Sequence, residues 1–496
     1  MKKLLLFSSA LIFLLASCSE DVDFASPGLS EDGFDISSGT ITSGEAGNAE
    51  EGINEIVENP FIETSDEAIS TFSIDADGAS YAFLRNNMAN GQAPNAAIIR
   101  TEELVNYFNY DYVTNLDGHP LGLEGEVSHC PWNTDHKLVR IGIKGNEISK
   151  ENYPPSNLVF LIDVSGSMRS ENKLELLKRG FIRFVDELRP EDRISIVTYA
   201  SNPGVNLEST PGSEKDHIIN AIRDLGAGGS TNGEGGIIQA YEIAEANFIE
   251  GGNNRIIMGT DGDFNVGISS QEELVNLIEE KRENGVFLNV LGVGISQYAE
   301  GRLEQIANHG NGSFEYLDND AELDKVFVNE FNKFFTVAKD VKVQVEFNAD
   351  HVAAYRLIGY ENRVLATEDF EDDTVDAGEI GAGQSITALY EIVPRPNTQR
   401  GQRAFTIDFR YKLPDSDSSI PLSLDIVDEG KTFEQASNDH RFAAAVASFG
   451  LLVRDSEYKG DTSFDDIIDW AGNARAYDPF GYKLLFLDIV RQAEQF

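Results

Sequence analysis

Asp163, Ser165 and Ser167 alternate with Val164 and Gly166, so one carboxylate and two hydroxyls can converge on a single point. Hard oxygens at this spacing suit Mg²⁺, Mn²⁺ or Ca²⁺. They suit Zn²⁺ poorly, because no Cys or His stands nearby. Immediately before them, Leu158, Val159, Phe160, Leu161 and Ile162 form a continuous apolar run, the pattern of a strand buried on both faces in a parallel sheet. The oxygen donors therefore fall just beyond a strand's carboxyl end, where open α/β sheets bind their ligands. Taken alone, the loop also admits a Ser/Gly-rich strand-to-helix turn that provides an N-cap, the lesser of the two readings.

Two later stretches point to the same sheet edge. Gly228-Gly229-Ser230-Thr231-Asn232 opens a helix-like segment, and Ile256-Ile257-Met258-Gly259-Thr260-Asp261-Gly262 is a second apolar strand ending in a carboxylate. Together the DxSxS, the Thr and the TDG resemble the metal-ion-dependent adhesion site of von Willebrand factor type A (VWA) domains. Asp163, Ser165, Ser167, Thr231 and Asp261 match that motif without departure. The resemblance implies a Rossmann-like α/β domain and a divalent cation, Mg²⁺ first, with Mn²⁺ and Ca²⁺ as alternatives. It also implies one metal position left open for an Asp or Glu carboxylate from a partner protein. This is chemically reasonable: Mg²⁺ takes about six octahedral oxygens, and hydroxyls and waters leave it electron-poor.

The elements that must position these residues alternate in the βαβ manner. Lys173 to Leu188 is amphipathic, with Leu174, Leu177, Phe181, Phe184, Val185 and Leu188 at helical spacing, and Pro190 ends it. Ile194–Tyr199 and Val286–Leu291 read as further strands, Gln271–Glu283 as a helix, and Leu323–Phe335 as the last helix of the unit. In the resembled family the corresponding last helix shifts when affinity changes. Strand-like runs flank the unit, at Leu138–Ile143 before it and at Val341–Phe347, Ile386–Ile392 and Phe405–Phe409 after it. This arrangement predicts an α/β fold, a parallel sheet flanked by helices, inserted in a β-sandwich and followed by a helical C-terminal part. The expected organisation is an N-terminal VWA-associated region over 59–115, a β segment over 116–154, the VWA domain over 155–337, a β-rich domain over 338–430 and a helical region over 431–496. The region from about 59 to 495 resembles bacterial secreted VWA proteins with a C-terminal domain of unassigned function.

The chain opens like an export signal. Lys2 and Lys3 precede an apolar run from Leu4 to Leu15, too short to span a membrane. Leu15-Ala16-Ser17-Cys18 resembles a bacterial lipobox, which implies a signal peptide over 1–18, lipidation of Cys18 and attachment to the bacterial cell envelope. Ordinary cleavage to a soluble product is the alternative. Ser19-Glu20-Asp21-Val22-Asp23 resembles the acidic signal that places some outer-membrane lipoproteins on the cell surface. Residues 19–58 are rich in Glu, Asp, Gly and Ser, lack Lys and Arg, and read as a disordered tether. The net charge of −45 argues against nucleic acid as a partner, since phosphate contacts need clustered Lys and Arg. Only two cysteines exist, so a lipidated Cys18 leaves Cys130 without an intrachain partner and the fold without a disulfide.

Enzyme readings find no residues to carry them. A DxDx(T/V) phosphatase needs a carboxylate where Ser165 stands, a serine hydrolase needs GxSxG where the chain has VSGSM, and the seven His form no HExxH. Gly292-Val293-Gly294 lacks the third Gly of a dinucleotide fingerprint. No enzymatic activity is expected. One other acidic group, Asp369, Asp372, Asp373 and Asp376, crowds a Gly-flanked loop together with Glu371 and Glu379. It forms a second candidate metal set by density alone, with no EF-hand spacing. Three functions remain open: a cation-dependent protein-binding module, a structural or assembly scaffold of the envelope, and a metal-assisted enzyme. Five matching donors favour the first.

Overall fold

The computed structural model describes residues 56–114, 118–262, 271–295, 297–396 and 398–496. The signal, Cys18 and most of the expected tether lie outside the described residues. The described chain begins with two short strands, β1 (Ile62–Glu63) and β2 (Ile69–Ser73), and two helices, α1 (Ala79–Ala89) and α2 (Thr101–Asn106). Glu102 and Glu103 stand in the first turn of α2, where carboxylates favour the helix dipole. An antiparallel pair follows, β3 (Leu121–His129) and β4 (Lys137–Gly145).

The α/β unit runs β5 (Ser156–Asp163), α3 (Leu174–Glu187), β6 (Arg193–Tyr199), β7 (Gly204–Pro211), α4 (Lys215–Arg223), α5 (Gly233–Ala246), β8 (Asn253–Thr260), α6 (Gln271–Glu283), β9 (Phe287–Val293), α7 (Gln297–His309), β10 (Phe314–Leu317) and α8 (Asp320–Asp324). Its sheet has the order β10-β9-β8-β5-β6-β7, parallel except for β7, which closes one edge antiparallel to β6. Every residue of β5 is buried, as its unbroken apolar run requires of a central strand covered on both faces. The apolar face of α3 packs on it, with the Phe181 ring 4.3 Å and the Phe184 ring 5.4 Å from that of Phe160.

The helix expected over Leu323–Phe335 is not continuous. After α8 the backbone makes a π turn over Lys325–Asn329, with the Glu330 N–H donating to the Lys325 carbonyl (2.9 Å), and then a short 3₁₀ turn over Phe331–Phe334. The cause is tertiary. The Lys325 ammonium sits 4.6 Å from the Tyr107 ring and 5.4 Å from the Tyr482 ring, and Asn329 donates to the Tyr482 hydroxyl (2.8 Å). A regular helix would not carry both side chains to these partners, and a π turn adds the residue that does.

The chain then re-enters the β layers with β11 (Thr336–Phe347), β12 (Val352–Ile358), β13 (Gly378–Gly381), β14 (Ser385–Pro394), β15 (Gln402–Lys412) and β16 (Ile420–Asp428). β14 pairs with β4 from Ser385↔Lys144 to Ile392↔Lys137, so strands from before and after the α/β unit share one sheet, ordered β1-β12-β14-β4-β3. The second sheet runs β13-β11-β15-β16, with β2 added on β11. Val139, Ile141 and Ile143 face Val343, Phe405 and Ile407 in one buried cluster between the layers. At roughly 1.5–3 kcal/mol for each such side chain, this core is enough to make a disulfide unnecessary, and Cys130 is a buried free thiol.

Three helices end the chain: α9 (Asn438–Val453), α10 (Phe464–Gly472) and α11 (Tyr482–Ala493). The Phe442 and Phe486 rings of α9 and α11 meet Phe108 at 5.0 and 5.5 Å, which ties the C-terminal helices to the N-terminal arm. No helix among the described residues is long and apolar enough to cross a membrane.

Candidate metal centre

From β5 the chain crosses to β6 on one side of the sheet and later returns to β8 on the other, so the carboxyl end of β5 is the switch point where a crevice opens. Asp163 is the last residue of β5, and the pairing Ile162↔Gly259 sets Asp261 just beyond the end of the adjacent strand. Asp163 is fully buried. Its Oδ1 accepts from the Ser165 N–H (2.8 Å), which folds the loop back over the strand end, and the Ser165 and Ser167 hydroxyls lie 2.9 Å apart. Ser165 is buried whereas Ser167 is exposed, so the donor set is walled below and open above.

The loop bearing Thr231 is fastened to this turn through the backbone. Gly228 N–H donates to the Val164 carbonyl (2.7 Å), and Gly166 N–H donates to the Gly229 carbonyl (3.0 Å). Gly229 has φ +94°, and a Cβ there would stand 2.8 Å from the Ser201 hydroxyl, so the clamp needs glycine. Thr231 is half-buried in that loop, directly before Asn232, whose side chain caps α5 by accepting from the Gly235 N–H (3.2 Å).

Three neighbours of the donor set were given no role from the sequence. Thr260 donates to Asp163 Oδ2 (3.4 Å), and the buried Tyr199 hydroxyl interacts with both Thr260 and Asp163. Lys173, just before α3, places its ammonium 2.9 Å from Asp261 Oδ2. Thr260 was visible as the first letter of the TDG. Lys173 has no spacing signal, because a long flexible side chain reaches a site that its own position does not mark. Burial pushes the Asp163 carboxyl up to about 6; the Ser165 backbone and hydroxyl oppose this and the Asp261 charge adds to it. The geometry fits a hard divalent cation on two grounds. The donors are two carboxylates and hydroxyls with no nitrogen or sulfur ligand, and a cation, the Lys173 ammonium, already stands against Asp261.

The acidic loop gathers no such point. Asp369 caps a 3₁₀ turn by accepting from the Ala366 N–H, and Asp372 accepts from the Thr374 N–H and hydroxyl. Asp373 pairs with Arg410 and Ser419, and Asp376 pairs with Arg282. Each carboxylate is satisfied separately, so the second candidate set of Asp369, Asp372, Asp373 and Asp376 is not assembled.

A Rossmann-like sheet with these loops at its switch point defines a VWA-domain protein. The family model described as von Willebrand factor type A domain matches residues 158–263, and one described as von Willebrand factor matches residues 47–140. A third, described as uncharacterized protein YfbK, C-terminal, matches residues 332–496. The chain is 40% identical over 464 residues to the uncharacterized protein YfbK of Escherichia coli, covering 88% of this chain and 80% of that one. It belongs to the YfbK family. It is also 28% identical over 179 residues to human inter-alpha-trypsin inhibitor heavy chain H3, spanning 34% of this chain and 20% of that one. Among solved structures it is similar to a von Willebrand factor type A protein from Catenulispora acidiphila, at TM-score 0.44 and 14% identity over 77% of this chain and 91% of that one.

Proposed function

We propose that this chain is a lipid-anchored protein of the bacterial cell envelope that binds a protein partner through a divalent cation at the end of β5. Asp163, Ser165, Ser167, Thr231 and Asp261 hold the ion, directly or through water, and a partner Asp or Glu completes the shell. The observation that carries this reading is the convergence of Asp163, Ser165 and Ser167 in one hydrogen-bonded turn, beside Asp261 on the neighbouring strand. VWA domains often mediate protein interactions and often bind a divalent metal, and this site has the donor chemistry for both. When bound, the cation supplies an electrophilic centre for a carboxylate oxygen. The chain's part is to orient the donors, bury Asp163 and leave the Ser167 side open. The two carboxylates only balance the ion's formal charge, so an incoming anionic oxygen is still attracted. Binding rather than catalysis is the reading, because both carboxylates of the centre are ligands and neither is left to act as a base.

Two experiments test the proposal. Affinity capture from envelope extract should retain a partner in Mg²⁺ and lose it in EDTA, and Thr231→Ala should lose it while keeping the wild-type unfolding temperature. Capture unchanged by EDTA and by Thr231→Ala overturns the metal-gated reading. For the anchor, Cys18→Ala should move the protein from the detergent phase to the aqueous phase; a variant still in detergent removes the lipid attachment.

A further inference from the structure

A second group of carboxylates lies well away from the strand end, where the N-terminal arm meets the α/β unit. Asp75 follows β2, Glu103 lies on α2 and Glu304 on α7. All three are buried, and one ligand oxygen from each lies within 4.8 Å of the others. That span is what a single ion can bridge, since two oxygens on opposite sides of Ca²⁺ at about 2.4 Å stand about 4.8 Å apart.

The cations facing the group are Arg363 and Arg100. Arg363 bridges Asp75 Oδ2 (3.1 Å) and Glu304 Oε1 (3.2 Å), whereas Arg100 is more distant, 3.4 Å from Glu103 Oε1 and 3.9 Å from Glu304 Oε2. A fourth carboxylate, Asp77, is 3% exposed. Its Oδ1 accepts from the Phe314 N–H (3.0 Å), while its Oδ2 has no hydrogen-bond donor. The charged groups that act on Asp77 are Asp75, Glu304, Glu103 and Arg363, and Asp77 lines the same cavity as Asp75 and Arg363. Next to it, Glu102 is 1% exposed with neither oxygen hydrogen-bonded. Two guanidiniums therefore oppose five buried carboxylates, and a buried unpaired carboxylate is among the costliest groups a fold can hold. A cavity of about 40 Å³ opens on the Asp75 and Asp77 side of the group, where Arg363, Arg255, Lys333 and Asn308 also line it, with room for two or three waters.

We propose that Asp75, Glu103 and Glu304, with Asp77 reaching the ion through cavity water, hold a second divalent cation, of the Ca²⁺ class, that fastens the N-terminal arm to the α/β unit. Three carboxylates and cavity waters supply the larger, more flexible oxygen shell that Ca²⁺ takes and Mg²⁺ does not. The ion would join β2, α2 and α7, elements that no disulfide links. This site is independent of the strand-end site and stands or falls separately from it.

The test is calorimetric titration of CaCl₂ into the EDTA-treated full chain carrying Asp163→Ala, which removes the strand-end site. One Ca²⁺ per chain should bind, and the urea midpoint should rise with Ca²⁺. Adding Asp77→Asn, which keeps an acceptor for Phe314 N–H, should weaken binding by at least about tenfold and abolish the rise, a loss typical even of an outer partner of a metal site. Glu304→Gln, at a ligand from α7, should do the same. No Ca²⁺ uptake by the Asp163→Ala chain, or uptake unchanged by Asp77→Asn and Glu304→Gln, overturns the proposal and leaves protonation as what neutralises the cluster. If the Asp163→Ala chain takes up Ca²⁺ while wild type binds no further ion, the strand-end reading fails and this one stands.

Discussion

Isothermal titration of Mn²⁺ into the Asp163→Ala protein is expected to show a loss of affinity of about 100-fold or more at the strand-end site relative to wild type. Asp163 is fully buried and fixed by the backbone, through the Ser165 N–H at 2.8 Å. Without it the ion would be held by hydroxyls and by Asp261, whose Oδ2 is already paired with Lys173. Such a set loses to the ion's own hydration. The fold should survive, because burial disfavours the charged form of Asp163 in the protein without metal. Unchanged urea midpoints in EDTA would therefore separate loss of the site from loss of structure. Lys173→Met is the counterpart. Removing the ammonium that competes for Asp261 should raise Mn²⁺ affinity by roughly two- to fivefold, the scale of a partly exposed ion pair. Equal Mn²⁺ binding by wild type and Asp163→Ala would place the ion elsewhere and remove the basis for the adhesion reading.

What was legible in the sequence follows from which forces are local. β5 could be read because a strand buried on both faces must be continuously apolar, and α3 because one face only is buried. The flanking strands showed alternation, but not that β4 pairs with β14, more than two hundred residues later, since register between distant strands leaves no local mark. The segment from Leu323 on has helical spacing in Leu323, Phe327 and Phe334, and all three are buried. Its π turn depends on Tyr107 and Tyr482, which come from opposite ends of the chain. Acidic density misled in one place and hid a site in another. With 84 Asp and Glu, the crowded loop over Asp369–Asp376 stood out although Asp369, Asp372, Asp373 and Asp376 each have their own partner. Asp75 did not stand out, because Glu103 and Glu304 join it only in the fold.

The Arg85→Ala protein is expected to lose about 3–5 kcal/mol of stability by urea denaturation at pH 8, the range for breaking a buried ion pair from one side. Arg85 lies on α1, with its guanidinium bidentate on Asp318 (2.9 and 2.5 Å) and also bonded to Glu322 (2.7 Å) and the Tyr107 hydroxyl (2.9 Å). The Asp318 and Glu322 side chains are only 4% and 3% exposed, so truncation leaves two charges with little access to water. Truncation also removes packing against the Tyr81 and Tyr107 rings, and the pH dependence distinguishes the two causes. Burial already holds the Asp318 carboxyl above the usual range with Arg85 present, and Arg85 is what opposes that rise. Without Arg85 the folded-state pKa climbs further above the unfolded value, so the folded variant takes up protons before the unfolded one does. The penalty is then full above the raised folded pKa and shrinks as pH falls through it toward the unfolded value. The difference from wild type should therefore be largest near pH 8 and smaller near pH 5. Asp318→Asn combined with Glu322→Gln in the Arg85→Ala background should recover most of the loss at pH 8, since uncharged amides cost less to bury. A deficit that is the same at both pH values and is not rescued by the amides would mean that Arg85 acts through packing against Tyr81 and Tyr107. In that case the clamp between the N-terminal arm and the last turns of the α/β unit is aromatic rather than ionic.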